Sequence, residues 1–233
     1  MKEIAYLLFS FVSLISFSQE NSINILDKLL VDLSINKDSC RVDLITTKPI
    51  SESEIVFIIP EIEEKGEEYQ FLNGYILIVD KKSGAIVSRF YEKKLWVSDA
   101  VKLYKIEIKY QPYKISDRYE TIGILNTYYG SSRINPYESI ELSLFYRKND
   151  ELIPVLKDFS IYRITGETNG LDNEVFETHK KTIYTDKKSE IGFYNLRIVD
   201  SIIKMKSNEE NQRITDKSNK IQVLEFKTGI YQQ

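Results

Sequence analysis

A chain of 233 residues with one cysteine, one histidine, nine glycines and two methionines is bounded first by the chemistry it cannot assemble. Cys40 has no second cysteine to pair with, so no intramolecular disulfide forms and stability must come from a packed core. Its setting, Ser39-Cys40-Arg41, lacks the glycine-rich or helix-start surroundings that lower a thiol pKa, and it reads as a small buried hydrophobe. His179 is the sole histidine, which excludes histidine-rich zinc or copper centres and forces any catalytic triad through one residue. In Glu177-Thr178-His179-Lys180 that residue reads as a solvated strand position. Gly-x-Ser-x-Gly elbows and phosphate-cradling glycine loops are both missing from the sequence. Charge of one sign is missing too: 32 basic and 35 acidic residues give a net charge of −3. No basic surplus is available to release counterions from a nucleic acid or to hold a membrane surface.

Long apolar runs are confined to the start. Met1–Ser18 reads as a secretory signal peptide, with Lys2 as its basic end and Ile4–Phe17 as an apolar stretch too short to span a bilayer. Small residues at Ser16 and Ser18 suit cleavage before Gln19. The expectation is an exported protein, periplasmic or extracellular, whose residues 19–233 form a single β-rich domain with no membrane span after cleavage.

Sixteen tyrosines and eleven phenylalanines, with abundant Ile and Val, suit pleated, half-buried surfaces better than helix interiors. One short helix is expected, where Ile23, Leu26, Leu29, Leu30 and Leu33 recur at helical steps behind Ser22 as cap. Strands are expected at Arg41–Thr47, Glu54–Pro60 and, as a hairpin turning at Lys81–Gly84, Tyr75–Asp80 with Ala85–Tyr91. Polar and apolar residues alternate along Lys102–Tyr110, the mark of a strand buried on one face. Further strands are expected at Thr121–Tyr129, Ile140–Tyr146, Ile153–Ile164, Lys181–Thr185, Phe193–Ile203 and Ile221–Phe226, with turns at Asn149-Asp150, Gly166–Gly170 and Ser207–Gln212 and an acidic loop at Glu61–Glu68. The fold class is therefore all-β, mostly antiparallel, with ten to twelve strands in a sandwich or an open propeller-like meander.

Two groups of residues are candidates for sites. Asp32, Ser34, Asn36 and Asp38 place oxygens at every second position, with Asp43 beyond, as a calcium loop does, although no glycine makes the sharp turn. Trp96 and Asp99, with Tyr129, Arg133 and Tyr137 around a second turn, are candidates for a recognition surface. The functional expectation is a non-catalytic binding protein of the cell envelope whose partner is a protein or a glycan. Alternatives are a secreted inhibitor or immunity-type protein using the Glu61–Glu68 acids, and a hydrolase using a carboxylate pair on glycan or cell wall.

The order Gly74-Tyr75-Ile76-Leu77-Ile78-Val79-Asp80, Ser98-Asp99-Ala100-Val101, Gly130-Ser131-Ser132-Arg133, Asn135-Pro136-Tyr137 and Leu142-Ser143-Leu144-Phe145 resembles a family of uncharacterised exported bacterial β-rich proteins. Its members carry an integrin-like acidic loop near the N-terminus, which Asp32–Asp43 matches with an insertion and without its glycine. They also carry a Gly-Glu-Trp-Asp segment near a cysteine; here Gly166-Glu167 remains, without the tryptophan and the cysteine. The resemblance implies export and a β-rich fold and supplies no reaction.

Overall fold

The computed structural model describes residues 25–168, 174–189, 191–207 and 213–232. The signal segment Met1–Ser18, the Ser22 cap, residues 169–170 of the turn expected at Gly166–Gly170 and residues 208–212 of the turn expected at Ser207–Gln212 lie outside them. Within them the protein is all-β: one short helix over residues 25–32 precedes twelve strands, joined in one large, mostly antiparallel sheet that does not close into a barrel.

Strands β1 (Thr46–Pro49), β2 (Glu54–Lys65), β3 (Gln70–Asp80) and β4 (Ile86–Ser98) form the first antiparallel meander. A second runs through β5 (Val101–Tyr110), β6 (Thr121–Gly130), β7 (Tyr137–Lys148), β8 (Glu151–Thr168), β9 (Glu174–Lys188), β10 (Tyr194–Ser207), β11 (Arg213–Lys227) and β12 (Ile230–Gln232). Among the described residues the two pair as strands only at a short parallel contact of β4 with β8, Arg89 opposite Glu151. Two further ties hold that seam: Ser88 Oγ donates to the Asn149 carbonyl at 3.0 Å, and one Arg147 nitrogen lies 2.9 Å from both Glu54 oxygens.

Burial follows the alternation of side chains along each strand. Val56 and Ile58 of β2, with Leu72, Ile76 and Ile78 of β3, point one way and pack against Ile106, Ile108, Ile122 and Ile124 of the second meander. Ile55, Phe57 and Ile59, with Leu77 and Val79, point the other way and are roofed by Leu29 and Leu30 of the helix. Both faces of β2 are therefore dry, which is why Ile55–Ile59 is an unbroken apolar run and not an alternating one. A third apolar layer lies behind β7 and β8, where Leu142, Leu144 and Val155 meet Leu196, Ile198 and a ring stack of Phe193 on Phe226, centroids 3.9 Å apart.

Local chemistry fixes the expected hairpin. Gly84 takes φ +67 between β3 and β4, and Asp80 Oδ1 accepts the backbone N–H groups of Lys82 and Ser83. Three expectations need correction. Arg41–Thr47 is not one strand: after an isolated bridge of Cys40 with Glu61 of β2, Val42–Leu44 forms a 3-10 turn, and the continuous pairing with β2 starts at Thr46. Glu61–Lys65 is not loop but the continuation of β2, paired with β3 as far as Gln70. Likewise residues 166–168 extend β8, since Gly166 to Thr168 pair with Phe176 to Glu174 of β9.

Candidate binding pocket

Where the inner face of β6, β7 and β8 runs out from beneath β4, its character changes. The residues that continue the apolar row of Ile122 and Ile124 on β6 are Asn126 and Tyr128. Those that precede Phe145 on β7 at alternate positions are Tyr137, Ser139, Glu141 and Ser143. Leu95, Val97 and Val101 wall the other side. The result is an open concavity of about 390 Å³, with Ser139, Glu141 and Asp158 among its lining residues.

Asp158 enters this pocket through a backbone irregularity. The β7–β8 register shifts between Leu142 and Leu144, and Asp158 sits there at φ +48. Such a conformation is costly for a residue with a Cβ and re-aims its side chain, as β-bulges do. Ser143 holds the bulge: its hydroxyl accepts the Asp158 N–H at 3.1 Å and lies 3.3 Å from Asp158 Oδ1. Asp158 stands at the solvent edge, Glu141 deeper. Desolvation first, then the Asp158 charge, pushes the Glu141 carboxyl up to about 7. Asp158 is also raised, by desolvation against the opposing help of the Ser143 hydroxyl and Lys157. Lys157 itself is paired with Glu92 on β4.

Two polar side chains on this face, one in the pocket and one beside it, are unsatisfied among the described residues. Ser139 is 1% exposed and its Oγ makes no hydrogen bond to any described residue. Asn126, also 1% exposed and directly opposite Glu141 in the β6–β7 register, has an unpartnered Oδ1. Buried polar atoms in folded proteins are nearly always paired, so two on one face beside a half-buried acid mark a surface built to meet something.

Of the five residues expected to form a recognition surface, Asp99 and Tyr137 line this pocket. Trp96 does not: at 2% exposure it belongs to the core between the two meanders. A strand residue beside a polar turn alternates inward, and here the inward position is dry. Tyr129 points to the opposite face from Tyr128, 40% exposed and edge-on to Tyr104 at 5.3 Å. Arg133 is exposed in the β6–β7 loop. That loop does adjoin the β4–β5 turn, through the Ser131 N–H on the Ala100 carbonyl at 3.0 Å. A second hollow of about 450 Å³ lies beyond the same turn, but it is lined chiefly by exposed side chains, and its Arg41 is already held by Asp43 and Gln70.

Three of the five residues of the expected calcium loop have side-chain partners of their own. Asp32 pairs with Lys28, Asn36 Oδ1 accepts the Asp38 N–H at 3.0 Å, and Asp43 pairs with Arg41 at 2.6 Å. Ser34 occupies a left-handed turn at φ +57 after the helix, and Asp38 lies in the 3-10 turn Lys37–Ser39. Among the described residues no three His, Cys, Asp or Glu side chains cluster as a metal site would. The acids of Glu61–Glu68 are partly spent as well: Asn73 and Tyr75 bind Glu61, Lys93 pairs with Glu63 and Lys94 with Glu64.

His179 is not the solvated position its neighbours suggest. Its Nδ1 lies 2.8 Å from Asp200 and its Nε2 2.7 Å from Glu177, with Lys204 on the far side of Glu177. The nitrogen that would take a proton from a nucleophile is thus occupied by a carboxylate. Cys40 lies in the apolar layer under the helix, where burial raises its thiol pKa. No protein-family model, no curated protein and no solved structure matches this chain.

Proposed function

We propose that this is an exported, non-catalytic binding protein of the cell envelope, acting in the periplasm or outside the cell. It takes a protein or glycan partner at the end where the β4–β5 turn and the β6–β7 loop meet. One observation carries the reading: Ser139, whose buried hydroxyl has no partner among the described residues, lines an open pocket beside the half-buried Glu141. Unmet polar groups cost the free protein stability, and a partner that satisfies them recovers it. The family resemblance at Gly130–Tyr137 and the apolar segment at Ile4–Phe17 support export.

Cross-linking of tagged protein in the cells that make it, followed by mass spectrometry, tests this. The expected result is one reproducible envelope or secreted partner cross-linked near Asp99 to Tyr137. Cross-links confined to β9–β11, or recovery of the tagged protein alone, overturn it.

A second reading is favoured by one specific feature. Glu141 near 7, facing Asp158, has the character of a general acid beside a second carboxylate. Hydrolysis of a cell-wall or glycan substrate that disappears in Glu141→Gln would establish it over simple binding.

A further inference from the structure

The pocket's chemistry is one-sided. Its lining carries three carboxylates, those of Asp99, Glu141 and Asp158, and no lysine, arginine or histidine. Lys157, the nearest cation on β8, is turned to Glu92. Among the described residues Glu141 has no ion-pair partner, and the charge beside it is another carboxylate, so ionising it in place is uphill. A cationic ligand reverses that penalty, and the two rings at the pocket, Tyr128 and Tyr137, suit a cation as well.

The geometry narrows the cation further. Three side chains with acceptor oxygens line the pocket from two adjacent strands: Ser139 and Glu141 of β7 and Asp158 of β8. An ammonium group presents three N–H donors in a tripod, whereas a guanidinium is a planar fork that pairs with one carboxylate edge to edge in its own plane. Beside the acceptors, Leu95, Val97 and Val101 form an apolar wall that suits methylenes. A calcium ion would want six to eight oxygens within coordination distance and gain nothing from that wall. A hydroxylated amino sugar would desolvate its ring hydroxyls against it.

We infer that the pocket binds a primary alkylammonium group, its nitrogen held by the Glu141 and Asp158 carboxylates and the Ser139 hydroxyl, its stem lying along Leu95, Val97 and Val101. The inference rests on the binding reading above and names the ligand class of that site. A lysyl side chain of a partner polypeptide is the source that best combines the ammonium with a four-carbon stem.

The test is titration calorimetry of the purified protein with Nα-acetyl-lysine amide, alongside Nα-acetyl-norleucine amide, glucosamine and calcium chloride. The lysine derivative should bind saturably, and the norleucine derivative, which keeps the stem without the charge, about tenfold or more weakly. Glu141→Gln should weaken lysine-derivative binding about tenfold and Ser139→Ala a few-fold. Trp96 emission checks that each variant is folded, because the single tryptophan is in the core. Equal binding of the norleucine derivative, unchanged binding in folded Glu141→Gln, or preference for glucosamine or calcium overturns the inference. Absence of any binding overturns it too. In that case a cellular cross-link at Asp99 to Tyr137 leaves the broader binding reading standing, whereas failure of both removes both.

Discussion

Glu141→Gln should make the protein more stable at high pH and leave it unchanged at low pH. The folded state holds the Glu141 proton up to about pH 7, while the unfolded chain releases it near the ordinary 4.5. Between those values the folded state binds more protons, so Glu141 lowers stability progressively as pH rises, and the full penalty is present above about pH 8. For a fully shielded group that displacement corresponds to ~3 kcal/mol. The pocket is open and Glu141 half-buried, so solvent screening reduces the figure to ~1–2 kcal/mol. Burial sets most of it and the Asp158 carboxylate on β8 adds to it; Tyr128, Tyr137 and Asp99 line the same pocket, and Lys157 is turned to Glu92. Glutamine keeps the shape and removes the charge. In thermal melts followed by Trp96 emission, the variant should melt about 3–6 °C higher than the parent at pH 8.5 and within about 1 °C at pH 4. Glu68→Gln, at an exposed position, is the control and should show neither change. A Glu141→Gln gain equal at both pH values, or no gain at pH 8.5, would refute the assignment of a desolvated, repelled carboxyl.

Other outcomes follow from the packing. His179→Ala should destabilise the protein by ~1–3 kcal/mol in urea titrations, because it strands the buried Asp200 carboxylate. Adding Asp200→Asn should restore part of that loss, and an additive double mutant would argue against the contact. Leu29→Ala, which empties a fully buried place between the helix and β2–β3, should cost ~2–5 kcal/mol by the same measurement. A cost under ~1 kcal/mol would mean the helix does not roof that face. Asp117 gathers Lys114, Lys188 and Tyr194, which hold its carboxyl well below the usual range. Asp117→Asn should therefore speed protease cleavage within residues 111–120 while leaving the global melt nearly unchanged, and equal cleavage rates would count against that tether.

Much of the fold was legible because its signals are local. The alternation over Lys102–Tyr110, the Asp80–Gly84 turn and the short apolar runs each carry their own periodicity or turn chemistry, which needs no distant partner to be read. The errors arose where a distant partner decides. Glu61–Lys65 reads as acidic loop until Asn73, Tyr75, Lys93 and Lys94 supply its contacts. His179 looks solvated among Glu177, Thr178 and Lys180 because Asp200, which helps to bury it, is on the next strand. Trp96 reads as part of a turn surface because the side of β4 that is dry depends on what β5–β7 bring against it.

The amino-acid sequence by itself determined an all-β chain of short turns, one helix, a disulfide-free core and the absence of histidine-rich metal chemistry. It also pointed to the two loops that meet at the pocket, through Asp99 and Tyr137. One further signal was present in it: the positions of Tyr137–Lys148 that share a face with the buried Phe145 include Ser139, Glu141 and Ser143, three polar residues in succession. Only the tertiary structure selected Glu141 and Asp158 from thirty-five acids. Their meeting depends on the β7–β8 register shift and on the left-handed turn at Asp158, and a one-residue change in pairing would send a strand's side chains to the opposite face. Period-2 patterning specifies which residues share a face, but not which faces of distant strands are brought together.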